Sequence, residues 1–376
     1  MGNVNCTCVK QTTEQNLSEI QYKPINREIG SNNYNLEYEI IKSIIKIQSL
    51  IRGWLARRQF TQIQIQNYNQ KVDKLLLEFA QQHLQNSIQR PPFQFNDSDY
   101  PETQSEEFHK RFFKNPIILK NGAIYIGEWA NECKYGKGIQ VWKDGSIYEG
   151  FWVNDKAQGY GRLIHANGDI YIGNWKNHKS HGLGIYIHKD GSKYEGEWLD
   201  DQQHGKGIEI WKDGAQYQGN YKLGLKCGLG KFIWADNSTY EGEFINNDIE
   251  GKGVYTWNDG RKYQGEWKNN KMNGNGIFTW LDGRMYIGDY LDDKKDGQGI
   301  FIWPDGKKYV GEWKNGKQNG KGLFYIQKGN CKFGEWKEGQ REKIISQNQE
   351  FQKQFQEKIL NKFKDILINQ NLFDKF

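Results

Sequence analysis

Apolar and polar positions alternate with a fixed period of 23 residues over the stretch from Tyr125 to about Trp336. Each period opens with a tyrosine, a glycine and an aromatic residue spaced by two, as in Tyr194, Gly196 and Trp198, so that all three point to one face of a strand. A loop and a second alternating stretch follow. The pattern therefore predicts two antiparallel strands in every period.

Nine such units follow one another without insertion or deletion, and a fixed period of this kind is typical of repeat architectures. The tyrosines that open them are Tyr125, Tyr148, Tyr171, Tyr194, Tyr217, Tyr240, Tyr263, Tyr286 and Tyr309. The other repeat-defining residues of the first unit are Gly127, Trp129, Gly136 and Gly138. A tenth unit begins in register at Lys332 but lacks its tyrosine.

The second strand of each unit ends at a pair such as Asp144-Gly145. Asp-Gly supplies the positive φ values of a type I′ turn, so a two-residue hairpin turn is predicted there. We expect the aromatic residues to stack and stabilise a sheet that has no second layer, with a ligand cage as the alternative. The acids at the fourth position of the unit, such as Glu128 and Glu197, are expected to form a row on a solvated face.

The unit Tyr-x-Gly-x-Trp…Gly-x-Gly resembles the MORN repeat in all nine copies. The resemblance implies a mainly β fold, an elongated single-layer antiparallel meander of β-hairpins that serves as a scaffold or docking surface. Half a repeat at residues 115–124 is expected to supply the opening strand.

Helical periodicity flanks the repeats on both sides. The predicted organisation is a flexible tail at 1–35, a helix at 36–68, a helical segment and linker at 69–114, the repeat sheet at 115–340 and an amphipathic helix at 341–376. The last helix is expected to cap the sheet, with docking to a partner or lying on a membrane surface as alternatives.

A basic amphipathic stretch within 36–68 resembles the IQ motif in every defined position. The residues concerned are Ile47, Gln48, Ile51, Arg52, Gly53, Trp54, Arg57 and Phe60. The resemblance implies a docking helix for calmodulin or a similar EF-hand light chain, whose acidic surface the arginines would meet. The alternatives are a helix that packs on the sheet and one that lies on anionic lipid.

The chain begins Met-Gly, as N-myristoylation of Gly2 requires, and Cys6 and Cys8 are placed for palmitoylation. One myristoyl chain alone binds membranes only marginally, so stable anchoring would need the cysteines as well. The alternative is an unmodified tail.

Composition narrows the class of protein further. The net charge of +6 is spread along the chain, which gives no nucleic-acid footprint. The five cysteines are odd in number and scattered, as expected of a reducing compartment, so the predicted location is cytoplasmic.

No catalytic constellation, metal site or cofactor motif emerges from the sequence, and we expect no enzyme. The favoured function is a scaffold at a membrane, a cilium or the cytoskeleton, with the repeats docking a second protein. The alternative is a module that binds phosphoinositides through the repeats. Such a module would need a continuous basic row, but the residue between the paired glycines changes from Lys137 to Tyr160 to Leu183.

Overall fold

The computed structural model describes residues 93–99, 110–327, 330–346 and 348–369. The chain divides into two compact units, Met1–Lys212 and Asp213–Phe376, which are described separately. The IQ residues Ile47 to Phe60 and the lipidation residues Gly2, Cys6 and Cys8 lie outside the described residues.

The first unit is an antiparallel meander in which each strand pairs with the next. A short 3-10 helix, Asp97–Asp99, precedes it. Its strands are β1 (Phe112–Ile118), β2 (Ile124–Ala130), β3 (Cys133–Val141), β4 (Ile147–Val153), β5 (Lys156–Ile164), β6 (Ile170–Lys176), β7 (Lys179–Ile187), β8 (Lys193–Leu199) and β9 (Gln202–Ile210).

In the second unit, strands of seven and nine residues alternate up to residue 314, and the unit ends in two helices. Its strands are β10 (Gln216–Lys222), β11 (Leu225–Ile233), β12 (Thr239–Ile245), β13 (Asp248–Thr256), β14 (Lys262–Lys268), β15 (Lys271–Thr279), β16 (Met285–Leu291), β17 (Lys294–Ile302), β18 (Lys308–Lys314), β19 (Lys317–Gln327), β20 (Asn330–Lys337) and β21 (Gln340–Ser346). The helices are α1 (Gln349–Lys362) and α2 (Lys364–Asn369). The mainly β meander predicted from the repeats is confirmed.

The turns differ in type from the prediction. The Asp144-Gly145 turn is a three-residue loop, in which Gly145 N donates to Trp142 O at 3.0 Å and only the glycine of the pair has a positive φ, of 92°. This is a type I turn followed by a left-handed glycine. The two-residue turns with two positive φ values lie at the other end of the hairpin, as at Asn131 (49°) and Glu132 (62°).

Two element boundaries also differ. Residues 112–114, assigned from the sequence to a helical segment, form the start of β1, where Phe112 pairs with Trp129. Residues 341–346, assigned to the C-terminal helix, belong to β21. The helix begins only at Gln349, where the side chain of Asn348 accepts hydrogen bonds from the first backbone N–H groups and fixes the start.

Each unit has two distinct faces. The aromatic face, as we call it, carries the repeat tyrosines and their aromatic partners, whereas the second face carries the side chains between them. On the second face of the second unit, directly paired residues form one continuous apolar row. The row is Ile277, Ile287, Ile300, Val310, Leu323 and Phe333.

The C-terminal helices cover this row. Ile359, Phe363 and Leu367 pack on it and are no more than 1% exposed. Lys362 Nζ lies 2.6 Å from Asp289 Oδ2 and fixes the far end of α1. The helices therefore shield this apolar row from solvent. No helix among the described residues is long and apolar enough to cross a membrane.

Candidate docking site on the aromatic face

Every repeat tyrosine lies across a pair of glycines. The Tyr240 hydroxyl donates to Glu243 O at 3.1 Å, and its ring covers Gly242 and Gly253, which face each other on β12 and β13. A Cβ atom on Gly253 would lie 2.3 Å from that hydroxyl oxygen, closer than van der Waals contact allows. The glycines thus make room for the tyrosine ring of the same repeat.

The tyrosine also joins its repeat to the next one. Tyr240 meets Phe244 of its own repeat at a centroid distance of 5.2 Å and Trp267 of the following repeat at 5.5 Å, both edge to face. These aromatic pairs prefer such T-shaped geometry. The favoured interpretation of the aromatic residues is that they stack and stabilise the sheet. That interpretation explains these ring contacts.

The fourth-position acids do more than form a solvated row. The Glu243 carboxylate accepts a hydrogen bond from Lys252 N at 3.0 Å, inside the bulge where Gly251 has a φ of 62°. The same bond recurs from Lys137 N to Glu128 and from Lys321 N to Glu312. The acids lie in a solvent-facing row as expected, with Glu197 and Glu243 exposed. The hydrogen bond is an addition to that expectation, and its signal in the sequence is the constant interval of nine residues from acid to amide.

A second aromatic row on the same face was missed by the sequence analysis. Its tryptophans each stand two residues before the aspartate of an Asp-Gly or Asp-Asn turn, and they are Trp234, Trp257, Trp280 and Trp303. They alternate with buried rings in one continuous ladder, in which Tyr255 lies 4.9 Å from Trp234 and 4.5 Å from Trp257. All four tryptophans are only half-buried, so the second unit presents an indole at each of four successive repeats.

Cations border this tryptophan row. The Arg261 guanidinium lies 5.4 Å from the Trp257 ring, and that of Arg284 lies 5.3 Å from the Trp280 ring. Each arginine also pairs with an aspartate of its own turn, Arg284 Nε with Asp282 at 2.8 Å. The row therefore combines apolar indole surface with charged groups of both signs, a composition typical of protein docking surfaces.

Three lysines are enclosed on the aromatic face. Lys134 Nζ lies 4.0 Å from the Trp152 ring centroid and donates to Gln140 Oε1 at 2.7 Å. Burial lowers the pKa of Lys134 to about 8. Lys226 lies over Tyr217 at 5.2 Å. The pKa of Lys295 is also lowered, chiefly by burial and further by the Arg284 cation.

Histidines take the tryptophan position in part of the first unit, at His165 and His188. Burial lowers the pKa of His165 to about 4, although Asp169 and Asp144 oppose the shift. Within the described ranges no group of histidine, cysteine and acidic side chains could hold a metal ion. The aromatic face thus offers rings and buried cations, which suit binding.

Sequence comparison identifies two kinds of motif in the chain. The MORN repeat model matches residues 125–147, 148–170, 171–193, 194–216, 217–239, 240–260, 263–283, 286–308 and 309–331. The IQ calmodulin-binding motif matches residues 41–61. Both are binding motifs, and both agree with the resemblances stated from the sequence. No curated protein matches the chain.

Among solved structures, the TCP domain of SAS-4 from Drosophila melanogaster, in complex with a proline-rich motif of Ana2, is similar to this chain at 14% identity and a TM-score of 0.28. The match covers 54% of this chain and 97% of that one. The TCP10 domain of Danio rerio CPAP is similar at 12% identity and a TM-score of 0.25, over 61% of this chain and 97% of that one. Because the nine repeat matches together cover more than half of its residues, the chain belongs to the MORN-repeat family.

Proposed function

We propose that the protein is a non-enzymatic scaffold that holds two partners at once. One partner docks on the aromatic face of the repeats. The other is calmodulin or a similar EF-hand protein, held by the IQ residues Ile47 to Phe60. The proposal assigns the chain no catalytic step and no cofactor.

The observation that carries the proposal is the row of partly exposed tryptophans on the aromatic face of the second unit. On the second face, the apolar row from Ile277 to Phe333 is covered by α1 and α2. On the aromatic face, Trp234, Trp257 and Trp280 keep part of each indole exposed. Partly exposed tryptophans flanked by arginines are enriched where proteins dock, because they bury a large area on binding.

The IQ match supports the second partner. Within residues 41–61 the apolar Ile47 and Ile51 recur at helical spacing beside Arg52 and Arg57, and acids are absent from that segment. A basic amphipathic helix of this kind fits the apolar grooves and acidic rims of an EF-hand protein.

We further propose a cytoplasmic location, with the N-terminus tethered to a membrane through Gly2, Cys6 and Cys8, at a cilium or the cell cortex. The support is the Met-Gly start with two nearby cysteines. Metabolic labelling with an alkyne-bearing myristate analogue tests it. Wild-type chain should incorporate the label and a Gly2→Ala variant should not. An unlabelled wild type in a cell that labels other myristoylated proteins would contradict the tether.

Titration of the full-length chain with calmodulin, with and without calcium, tests the EF-hand partner. We expect binding in at least one calcium state and a loss of at least about tenfold in affinity on Ile47→Ala/Arg52→Ala, since both the apolar and the ionic contacts are removed. Arg90→Ala removes the same charge outside the motif and should leave the affinity unchanged. Absence of binding in both calcium states, or equal loss in the control, would contradict this role.

Proximity labelling in cells tests the docking face. A biotin ligase fused to the chain should label a set of proteins that Trp257→Ser/Trp280→Ser loses. The control Leu229→Ser/Ile245→Ser removes two exposed apolar side chains, 68% and 57% exposed, from the second face of the same unit. Proteins lost with the first variant and kept with the second support docking on the aromatic face. Identical sets for both variants would contradict it, provided that both unfold at the wild-type temperature.

A further inference from the structure

The aromatic face contains a ring-lined compartment, which we call a cell, that encloses the ammonium group of Lys295. The Nζ atom of Lys295 lies 5.3 Å from the ring centroids of Trp280, Tyr286 and Trp313 and 5.4 Å from that of Phe301. Rings at this distance attract a cation through their electron-rich faces, most strongly when water is excluded. The chain therefore shows that the repeat geometry builds a cage for a lysine side chain.

The equivalent cell around Tyr194 in the first unit has no lysine at the position of Lys295. Gln203 stands where the other repeat has Lys295, Glu209 stands where it has Phe301 and His188 stands where it has Trp280, each four repeats earlier in the chain. A cavity of about 20 Å³ lies at this place. Its lining includes the rings of Tyr186, His188, Tyr194, Trp198 and Trp211 together with Gln203 and Glu209.

The walls of the cavity favour a cation. Glu209 pairs directly with Tyr194 across β8 and β9, and Gln203 pairs with Trp198. Both polar side chains are buried, Glu209 to 4% and Gln203 to 6% exposure. A carboxyl group, an amide oxygen and aromatic faces attract positive charge and repel an anion. Lys193 also borders the cavity, and its Nζ lies 3.6 Å from Glu195 Oε2.

The volume sets the size of the cation. A cavity of about 20 Å³ holds roughly one water-sized group. A primary ammonium is of that size, whereas a trimethylammonium is several times larger. We propose that this cell binds the unmethylated ammonium group of a lysine side chain supplied by a docked partner protein. The inference rests on the proposed function, because it names a chemical group of the protein that docks on the aromatic face.

Saturation-transfer NMR on the full-length chain tests the cell with n-butylammonium, which reproduces the end of a lysine side chain. We expect saturation transfer to n-butylammonium and at least about tenfold less to n-butyltrimethylammonium. Gln203→Lys places a lysine in the cell, as Lys134, Lys226 and Lys295 do in their repeats, and should reduce the transfer at least about tenfold. Gln318→Lys makes the same change at the equivalent position of another repeat and should leave the transfer at the wild-type level.

Equal transfer to both amines, or transfer that Gln203→Lys leaves unchanged, would overturn the inference. The melting temperature of Gln203→Lys reports whether the variant folds. Should it not fold, Gln203→Met, which fills the cell without a charge, takes its place with the same expectation. The proposed function fails separately: if the chain binds its partners through Trp257 and Trp280 but n-butylammonium gives no transfer, only the ammonium cell is refuted.

Discussion

The ring of Tyr125 meets the indole of Trp152 in the following repeat edge to face, with centroids 5.4 Å apart and planes at 87°. The same tyrosine meets Trp129 of its own repeat at 5.3 Å and 89°. Tyr125 therefore packs against two repeats. Stability in such an array depends on the interfaces between neighbouring repeats, because one repeat alone cannot bury its aromatic residues.

Removing one ring from this arrangement should be costly. Trp152 is fully buried and its Nε1 donates to Gly138 O at 3.3 Å. Trp152→Ala should lower the free energy of unfolding by about 3–5 kcal/mol, from the lost transfer energy and the cavity left behind. Trp303→Ala removes a half-buried indole and should cost less than half as much. Urea unfolding followed by circular dichroism compares the two, and equal losses would contradict the role given to the Tyr125–Trp152 contact.

A methyl group added to a glycine beneath the tyrosine ring should be poorly tolerated. In Gly253→Ala the Cβ atom would lie 2.3 Å from the Tyr240 hydroxyl oxygen and 2.5 Å from its ring carbons, so we expect a loss of about 3 kcal/mol. Gly214→Ala is the control, because Gly214 has a φ of 89° and open space around it. Its cost should be only the left-handed conformation, about 1–2 kcal/mol. Thermal unfolding measures both, and the steric argument fails if the control is the more destabilised.

The carboxylate at the bulge should act as a hydrogen-bond acceptor. Glu243→Ala leaves Lys252 N without its 3.0 Å partner and should cost about 0.5–1.5 kcal/mol. Glu243→Gln keeps an acceptor oxygen and should cost less than half of that. Hydrogen exchange at Lys252 N, compared with neighbouring strand amides, is the direct measurement, because loss of the acceptor speeds exchange at this amide more than at the others. Equal exchange in both variants would show that the negative charge alone matters.

The period and the two strands of each repeat followed from the sequence because they depend on spacing along the chain. The turn types did not. Asp144-Gly145 carries the stronger turn signal, but its loop has three residues, and the two-residue turn falls at Asn131-Glu132, where only the asparagine suggests a positive φ. A signal strong enough to place a turn was thus not sufficient to determine its length.

The burial of the apolar row on the second face could not be predicted from the sequence, for another reason. Ile277, Ile287 and Ile300 come from three strands and become one row only through the pairing register. In the preceding strands the same positions carry Gln264, as well as Val254. The place where α1 docks is therefore fixed by residues that are far apart in sequence, which the pattern along a single strand does not show.

The contact between the C-terminal helices and this row should contribute strongly to stability. Phe363 lies between α1 and α2 and is 1% exposed against the row, so Phe363→Ala should cost about 3–5 kcal/mol and expose the apolar row. Ile368→Ala removes a side chain that is 48% exposed and should cost less than about 1 kcal/mol. Binding of the dye ANS, which reports exposed apolar surface, should rise for Phe363→Ala only. Equal dye binding would show that the helix is not held by this contact.

Two histidines of the first unit should make stability fall in mild acid. The pKa of His165 is lowered to about 4 by burial, and that of His178 to about 4 by burial and by the nearby Lys134 and Lys156. In the unfolded chain an imidazole has a pKa of about 6.5, so between about pH 6.5 and 4 the unfolded state binds more protons than the folded state. The free energy of unfolding therefore falls as the pH falls through this window, and the contribution is fully present above about pH 6.5. Urea midpoints at pH 7 and pH 5 should differ less for His165→Gln/His178→Gln than for the wild type, and an equal difference in both proteins would contradict the assignment.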